Sequence, residues 1–215
     1  EDKYLTFEVE RKTIEIPMVT SKMLDNNIGY VAVYEFEETT SEQFNQAIDA
    51  LTAQGMKGLI IDLRDNPGGL VNSATAILDR ILSKDQLLVY TVDKNGKKQE
   101  EYTEDDENIN VPISVLINGN SASASEIVSG CLQDYGKAKL VGTTSFGKGI
   151  VQYVLPLGDG SAIKLTSAKY YTPNGRNIHG TGIDPDVEVE LNSDSETDTQ
   201  LEKAQEIVLQ EIQAE

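Results

Sequence analysis

VPISVLINGNSASASEIVSGCLQDY, residues Val111–Tyr135, decides how the rest of the chain is read. Its first seven residues, Val111–Ile117, are an apolar run of strand length. Asn118-Gly119-Asn120 is a turn, and three serines alternating with alanine follow: Ser121, Ser123 and Ser125. Ile127, Val128, Cys131 and Leu132 then recur at helical spacing, so the stretch predicts strand, tight turn and helix. A serine at such a junction can present its hydroxyl beside the unpaired N–H groups at the positive end of a helix. Those are the parts a serine nucleophile needs. The same residues also suit an ordinary N-cap, and both readings stand at this point.

Working outward, Tyr30–Phe36 and Gly58–Leu63 read as strands, the second almost continuously apolar, as a strand covered on both faces is. Between them, Thr40-Ser41-Glu42-Gln43 predicts a helix start with Thr40 as cap and Gln43 closing a capping box. Phe44, Ala47, Ile48 and Leu51 form its inner face. The loop Arg64-Asp65-Asn66-Pro67-Gly68-Gly69 leads to a second helix with Leu70, Ala74, Ile77, Leu78 and Ile81 inward. Strand–helix alternation of this kind predicts an α/β fold with a parallel sheet. Lys94-Asn95-Gly96-Lys97 and Gly158-Asp159-Gly160 each lie between strand-like runs and predict β-hairpins. Thr172–Asp186 reads as loop and Asn192–Thr199 as a polar linker. Leu201, Ala204, Ile207, Val208 and Ile212 give a last amphipathic helix. At the other end, Tyr4–Val9 and Lys12–Val19 read as two short strands.

The chain has 215 residues, enough for one domain with a sizeable core. With 18 Lys+Arg against 36 Asp+Glu its net charge is −18, which argues against a nucleic-acid partner, whose phosphates require a basic surface. The single cysteine, Cys131, falls on an apolar helix face and reads as core. No disulfide or thiolate–metal cluster can form within the chain, and neither a metal nor a cofactor enters the reading.

A serine nucleophile requires a base. The only histidine, His179, sits in a glycine-flanked loop and is a weak candidate. Lysine is the known alternative. Lys148 lies between Gly147 and Gly149, which allow close backbone approach, and is followed four residues on by Gln152. A lysine base must be neutral. Bringing an amine from about 10.4 to about 7.5 costs roughly 4 kcal/mol, which an apolar pocket can supply. A carboxamide such as Gln152 can hold that amine without adding the negative charge that would recharge it. For the oxyanion, Ala124 offers an N–H at the helix start, and Gly68 or Gly69 could offer the second.

Three segments, IDLRDNPGGL (Ile61–Leu70), NGNSASASEIVSG (Asn118–Gly130) and GTTSFGKGIVQ (Gly142–Gln152), together resemble the core motifs of the C-terminal processing peptidases, or tail-specific proteases. The resemblance extends over roughly Thr13–Val189. It implies Ser123 as nucleophile, Lys148 as general base, Gln152 as its partner, and Gly68 or Gly69 with Ala124 as oxyanion hole, leaving Ser121 and Ser125 structural. It implies an α/β core related to the crotonase and Clp-protease folds. It also implies a serine endopeptidase that is exported and cuts protein or peptide substrates near apolar C-termini. Such proteins usually carry a PDZ domain before the core. Residues 1–19 are accordingly expected to hold its last strand and a linker, 20–191 the protease core, and 192–215 a linker and C-terminal helix. An unpartnered remnant strand would favour pairing with a second copy, which would make a homo-oligomer. Two other readings fit the fold: a catalytically silent scaffold, and, by fold analogy alone, an acyl-CoA enzyme, against which the acidic charge counts.

Overall fold

The structure is a computed structural model, and it describes residues 4–12, 14, 16–106, 108–191 and 197–214. In chain order the elements are β1 (Val19–Met23), β2 (Ile28–Val33), α1 (Thr40–Ala53), β3 (Gly58–Asp62), α2 (Val71–Ile81), β4 (Leu87–Asp93), β5 (Lys98–Tyr102), β6 (Ile113–Ile117), α3 (Ala124–Asp134), β7 (Ala138–Gly142), β8 (Ile150–Pro156), β9 (Ala162–Tyr171), β10 (Val187–Glu188) and α4 (Thr199–Ala214). The fold is mixed α/β, as the strand–helix alternation predicts. One sheet has the order β1-β2-β3-β6-β7-β10, parallel from β2 onward with β1 antiparallel at its edge. The second, β5-β4-β9-β8, is antiparallel and contains both expected hairpins.

Strand alternation explains why Leu59–Ile61 shows no polar face. Leu59 and Ile61 join α1, α2 and α3 in the larger core, through Phe44, Ile48, Ile77, Leu78, Ile127 and Val128. Ile60 points the other way and packs with Leu116, Val141 and α4 residues Ala204 and Val208. Both faces of β3 are therefore covered, which selects a continuous apolar run. Cys131 is buried in the larger core, and burial pushes its thiol well above the usual range, as its packing role requires.

Arg64 fixes α4 to the sheet. Its guanidinium donates to Asp62 (Nη2 to Oδ2, 2.6 Å), Asp198 (Nη1 to Oδ1, 2.9 Å; Nη2 to Oδ2, 2.8 Å) and Gln200 (Nη1 to the side-chain Oε1, 3.0 Å). Tyr30 donates to Asp62 as well, at 2.7 Å. Burial alone would push the Asp198 carboxyl up, but its bonds to Arg64 hold it below the ordinary carboxylate range. A depressed carboxyl contributes stability above its unfolded value, near pH 4, and loses it as pH falls through the folded value. Replacing Arg64 with alanine strands Asp62, whose side chain is nearly buried. The expected cost is about 3–5 kcal/mol, read as a fall of roughly 10 °C in the thermal midpoint. A midpoint within 2 °C of the unaltered chain, on the order of 0.5 kcal/mol, would contradict that account.

Three local expectations need correction. Described residues from Tyr4 to Lys12 form no strand, and Tyr4, Leu5, Phe7 and Val9 are exposed. A strand needs a ladder partner, which nothing in the described sheets gives them. The second expected strand begins only at Val19, where β1 can pair with β2, Val19 opposite Val33. Thr13 and Glu15 lie outside the described residues, as does most of the expected linker. Finally, α1 has Thr39, not Thr40, at its cap, and the Gln43 side-chain oxygen accepts the N–H of Met18 (2.8 Å) and Val19 (3.1 Å). Gln43 pins the entry to β1 and does not close a capping box.

Candidate active site

The three motif loops leave the C-terminal ends of adjacent parallel strands, β3, β6 and β7, with β6 in the middle. That edge is where open α/β sheets bind ligands. Each loop is built by side-chain bonds that its sequence encodes. Asn66 is fully buried; its Nδ2 donates to Val33 O at 2.8 Å, and its Oδ1 accepts the Gly68 N–H at 2.8 Å. Its main-chain oxygen accepts from Ala122 N (3.0 Å) and Ser125 Oγ (3.0 Å). The Asn-Pro-Gly-Gly turn is thereby sewn to the serine turn. Gly68 lies so near that a Cβ there would sit 2.8 Å from Ser123 Cβ and 3.0 Å from Ala124 N.

The structure distinguishes the three serines. Ser121 is fully buried and donates its hydroxyl to Leu63 O at 2.7 Å. Ser125 is fully buried and spends its hydroxyl on Asn66 O, as above. Ser123 is only half-buried and stands at the N-cap of α3 with φ 57° and ψ −110°, a backbone that non-glycine residues rarely hold. Strain of this kind, at a strand-to-helix turn, is how a nucleophile elbow exposes a hydroxyl. Ala124 follows as the first residue of α3, so its N–H has no partner within the helix.

Glu126 organises the surroundings. It is fully buried, and its carboxylate takes four hydrogen bonds. Oε2 accepts from Ser123 N (2.8 Å) and Lys148 N (2.8 Å). Oε1 accepts from Ser145 Oγ (2.6 Å) and Gly147 N (2.7 Å). The charge sits in the first turn of α3, where the helix dipole favours it. Residues 123 and 148, far apart in sequence, thus share one carboxylate oxygen. The loop 178–183 backs this arrangement. Gly180 N donates to Gly147 O at 2.9 Å, and Ile183 N to Ser145 Oγ at 2.8 Å. A Cβ at Gly147 would meet Gly182 N at 2.9 Å and one at Gly149 would meet His179 N at 2.8 Å, so both glycines beside Lys148 serve close approach. His179 itself has an exposed side chain.

The remaining predicted residues take these positions. Gln152 lies on β8 with its amide nitrogen 3.3 Å from Thr166 Oγ1. Gly69, at φ 133°, is clamped to Phe36, with Phe36 N donating to Gly68 O (2.8 Å) and Leu70 N to Phe36 O (2.7 Å). Val71, Ile127, Val151 and Tyr170 help line a cavity of 170 Å³, with Tyr90 and Tyr153 and the polar Thr91, Gln99 and Glu101 also on its wall. Among the described residues no His, Cys, Asp and Glu side chains form a group that could hold a metal ion. The sequence reading missed Glu126 and Asn66. Glu126 was findable, because Ser123-x-x-Glu126 has capping-box spacing. Asn66 was not, because its bonds reach elements remote in sequence.

Comparison with known proteins shows what the chain is similar to. Residues 27–189 match the description "Peptidase family S41". A carboxy-terminal processing protease of Bacillus subtilis, CtpB, is 41% identical over 192 residues, covering 87% of this chain and 40% of its own length. The carboxy-terminal-processing protease of Bartonella bacilliformis is 41% identical over 198 residues, covering 88% of this chain and 44% of its own. The solved photosystem II D1 C-terminal processing protease superposes with a TM-score of 0.74 at 31% identity, over 92% of this chain and 54% of that one. The chain spans roughly two fifths of the length of these curated relatives. With its matched segment taking in all three loops of the site, the chain belongs to peptidase family S41.

Proposed function

We propose that this chain is the catalytic core of a serine endopeptidase that trims apolar C-termini of exported proteins. The observation that carries the reading is the shared oxygen: Glu126 Oε2 holds the main chains of both Ser123 and Lys148. In the proposed reaction, neutral Lys148 takes the Ser123 hydroxyl proton as Oγ attacks the scissile carbonyl carbon. The oxyanion accepts N–H bonds from Ala124 and from the Asn-Pro-Gly-Gly turn. Because the Gly68 N–H is given to Asn66, Gly69 is the better donor of the two. Protonated Lys148 returns the proton to the leaving amine, the C–N bond breaks, and water hydrolyses the acyl-enzyme with Lys148 again as base. The carboxamide oxygen of Gln152 is suited to accept from the lysine, since its nitrogen is turned to Thr166. The Val71, Ile127 and Val151 wall of the nearby cavity favours apolar side chains near the cut.

Cleavage of a peptide with an apolar C-terminus tests this. Ser123→Ala and Lys148→Ala are each expected to lower kcat by about 10³-fold or more, with little change in thermal midpoint. Cleavage by the Lys148→Ala chain at the unaltered rate would refute the lysine base.

A further inference from the structure

Tyr170 stands near the end of β9 with its ring buried, 2% exposed, in the larger core. Its hydroxyl lies 3.0 Å from Ser123 O and is also hydrogen-bonded to Lys148 O. These are the carbonyl groups of the same two residues whose N–H groups meet on Glu126 Oε2. Two side chains therefore hold all four main-chain polar groups of the nucleophile and base positions. The carboxylate takes the donors and the phenol serves the acceptors. The two acceptors are not equivalent. Ser123 O already accepts from Glu126 N (2.9 Å) and Ile127 N (3.0 Å) at the start of α3, whereas Lys148 lies in an irregular segment between strands. The single phenolic proton is thus worth most to Lys148.

We infer that Tyr170 is a positioning residue for the dyad, fixing the Lys148 main chain against Ser123 through its hydroxyl. This rests on the dyad reading above. Burial and the nearby Glu126 charge push the phenol above its ordinary value, so it stays protonated and remains a donor across any working pH. The remaining bonds to Tyr170 keep β9 in place independently of the hydroxyl: its N–H donates to Gly149 O (3.2 Å), and Asn177 Nδ2 donates to its carbonyl (3.0 Å). Removing only the oxygen should loosen Lys148 while leaving the ring, the strand and the substrate cavity where they are.

The test is Tyr170→Phe in the whole chain, assayed with a serine-reactive phosphonate and a peptide substrate. The expected result is a fall of about 10–100-fold in kcat and in labelling rate, KM within about twofold, an altered pH profile of labelling, and an unchanged far-UV circular dichroism spectrum. Equal labelling and kcat in the variant, with or without a lower thermal midpoint, would reduce Tyr170 to a packing residue and overturn the inference. If the unaltered chain is not labelled at Ser123, the dyad reading itself falls, and this one with it. Should Tyr170→Phe fail to fold, 3,5-difluorotyrosine placed at position 170 keeps the oxygen but changes its donor strength. A labelling profile identical to that of the unaltered chain would then overturn the inference.

Discussion

Replacing Glu126 with glutamine is expected to lower kcat by about 10²-fold or more and the thermal midpoint by roughly 6–12 °C, although the two side chains have nearly the same shape. The reason is donor counting. The carboxylate offers two acceptor oxygens, and each is used by two donors. A carboxamide replaces one of them with an NH₂ that must face two donors in the interior. The less damaging orientation turns the NH₂ toward Ser145 and Gly147. Ser145 Oγ already accepts from Ile183, and if it takes a proton from the NH₂ on its other lone pair, its own O–H loses the carboxylate acceptor it now has. The Gly147 N–H is left facing a donor. Buried groups stranded in this way cost about 1–3 kcal/mol each, hence about 3 kcal/mol in all. The stretch carrying Lys148 shifts in consequence, and with it the dyad. Differential scanning calorimetry and peptide kinetics on the same preparation would show both losses together. A variant with the activity of the unaltered chain would mean that Glu126 does not organise the site.

Gly69→Ala is expected to be as damaging for a different reason. An added Cβ would lie 2.2 Å from Phe36 O and 2.8 Å from Phe36 C, and the backbone there has φ 133°. Phe36 is fully buried and its main chain is bonded on both sides of the glycine, so it has nowhere to go. The turn must move instead, carrying the proposed oxyanion donor away from Ser123. Loss of one such donor costs about 10²–10³-fold in kcat. Gly96→Ala is the control. It also has positive φ, but nothing stands within 4 Å of its added Cβ, so it should cost only about 1 kcal/mol. Its kcat should be unchanged. If the two variants lose the same activity, the close fit at Gly69 is not what matters.

These two residues also show what a sequence can disclose. Gly69 was visible because Asn-Pro-Gly-Gly after an apolar strand is a local signal, and β3 and the hairpins were visible for the same reason. Ser123 was visible as one of three serines, but choosing it over Ser121 and Ser125 by residue type alone was not possible. The motif resemblance singled it out, and the reason the other two hydroxyls are occupied lies in Leu63 O and Asn66 O, partners about 60 positions away in sequence. Glu126 had a local signature, yet its other three partners lie about 20 residues on. Tyr170 had no signature: a tyrosine in a hairpin strand looks the same whether its hydroxyl meets water or the backbone of a dyad. The two-residue β10 escaped because pairing with β7, Val187 opposite Val141, and not its own composition, makes it a strand. Tyr4–Val9 failed in the opposite direction, having strand composition without a ladder partner.

The central claim is that the Lys148 amine draws the proton from Ser123. The rate of phosphonate labelling, followed against pH with the adduct mapped by mass spectrometry, tests it most directly. The expected adduct is on Ser123 alone, with a rate that rises through one ionisation and falls by about 10³-fold in Lys148→Ala. An adduct on Ser121 or Ser125, or a Lys148→Ala chain labelled as fast as the original, would contradict the account.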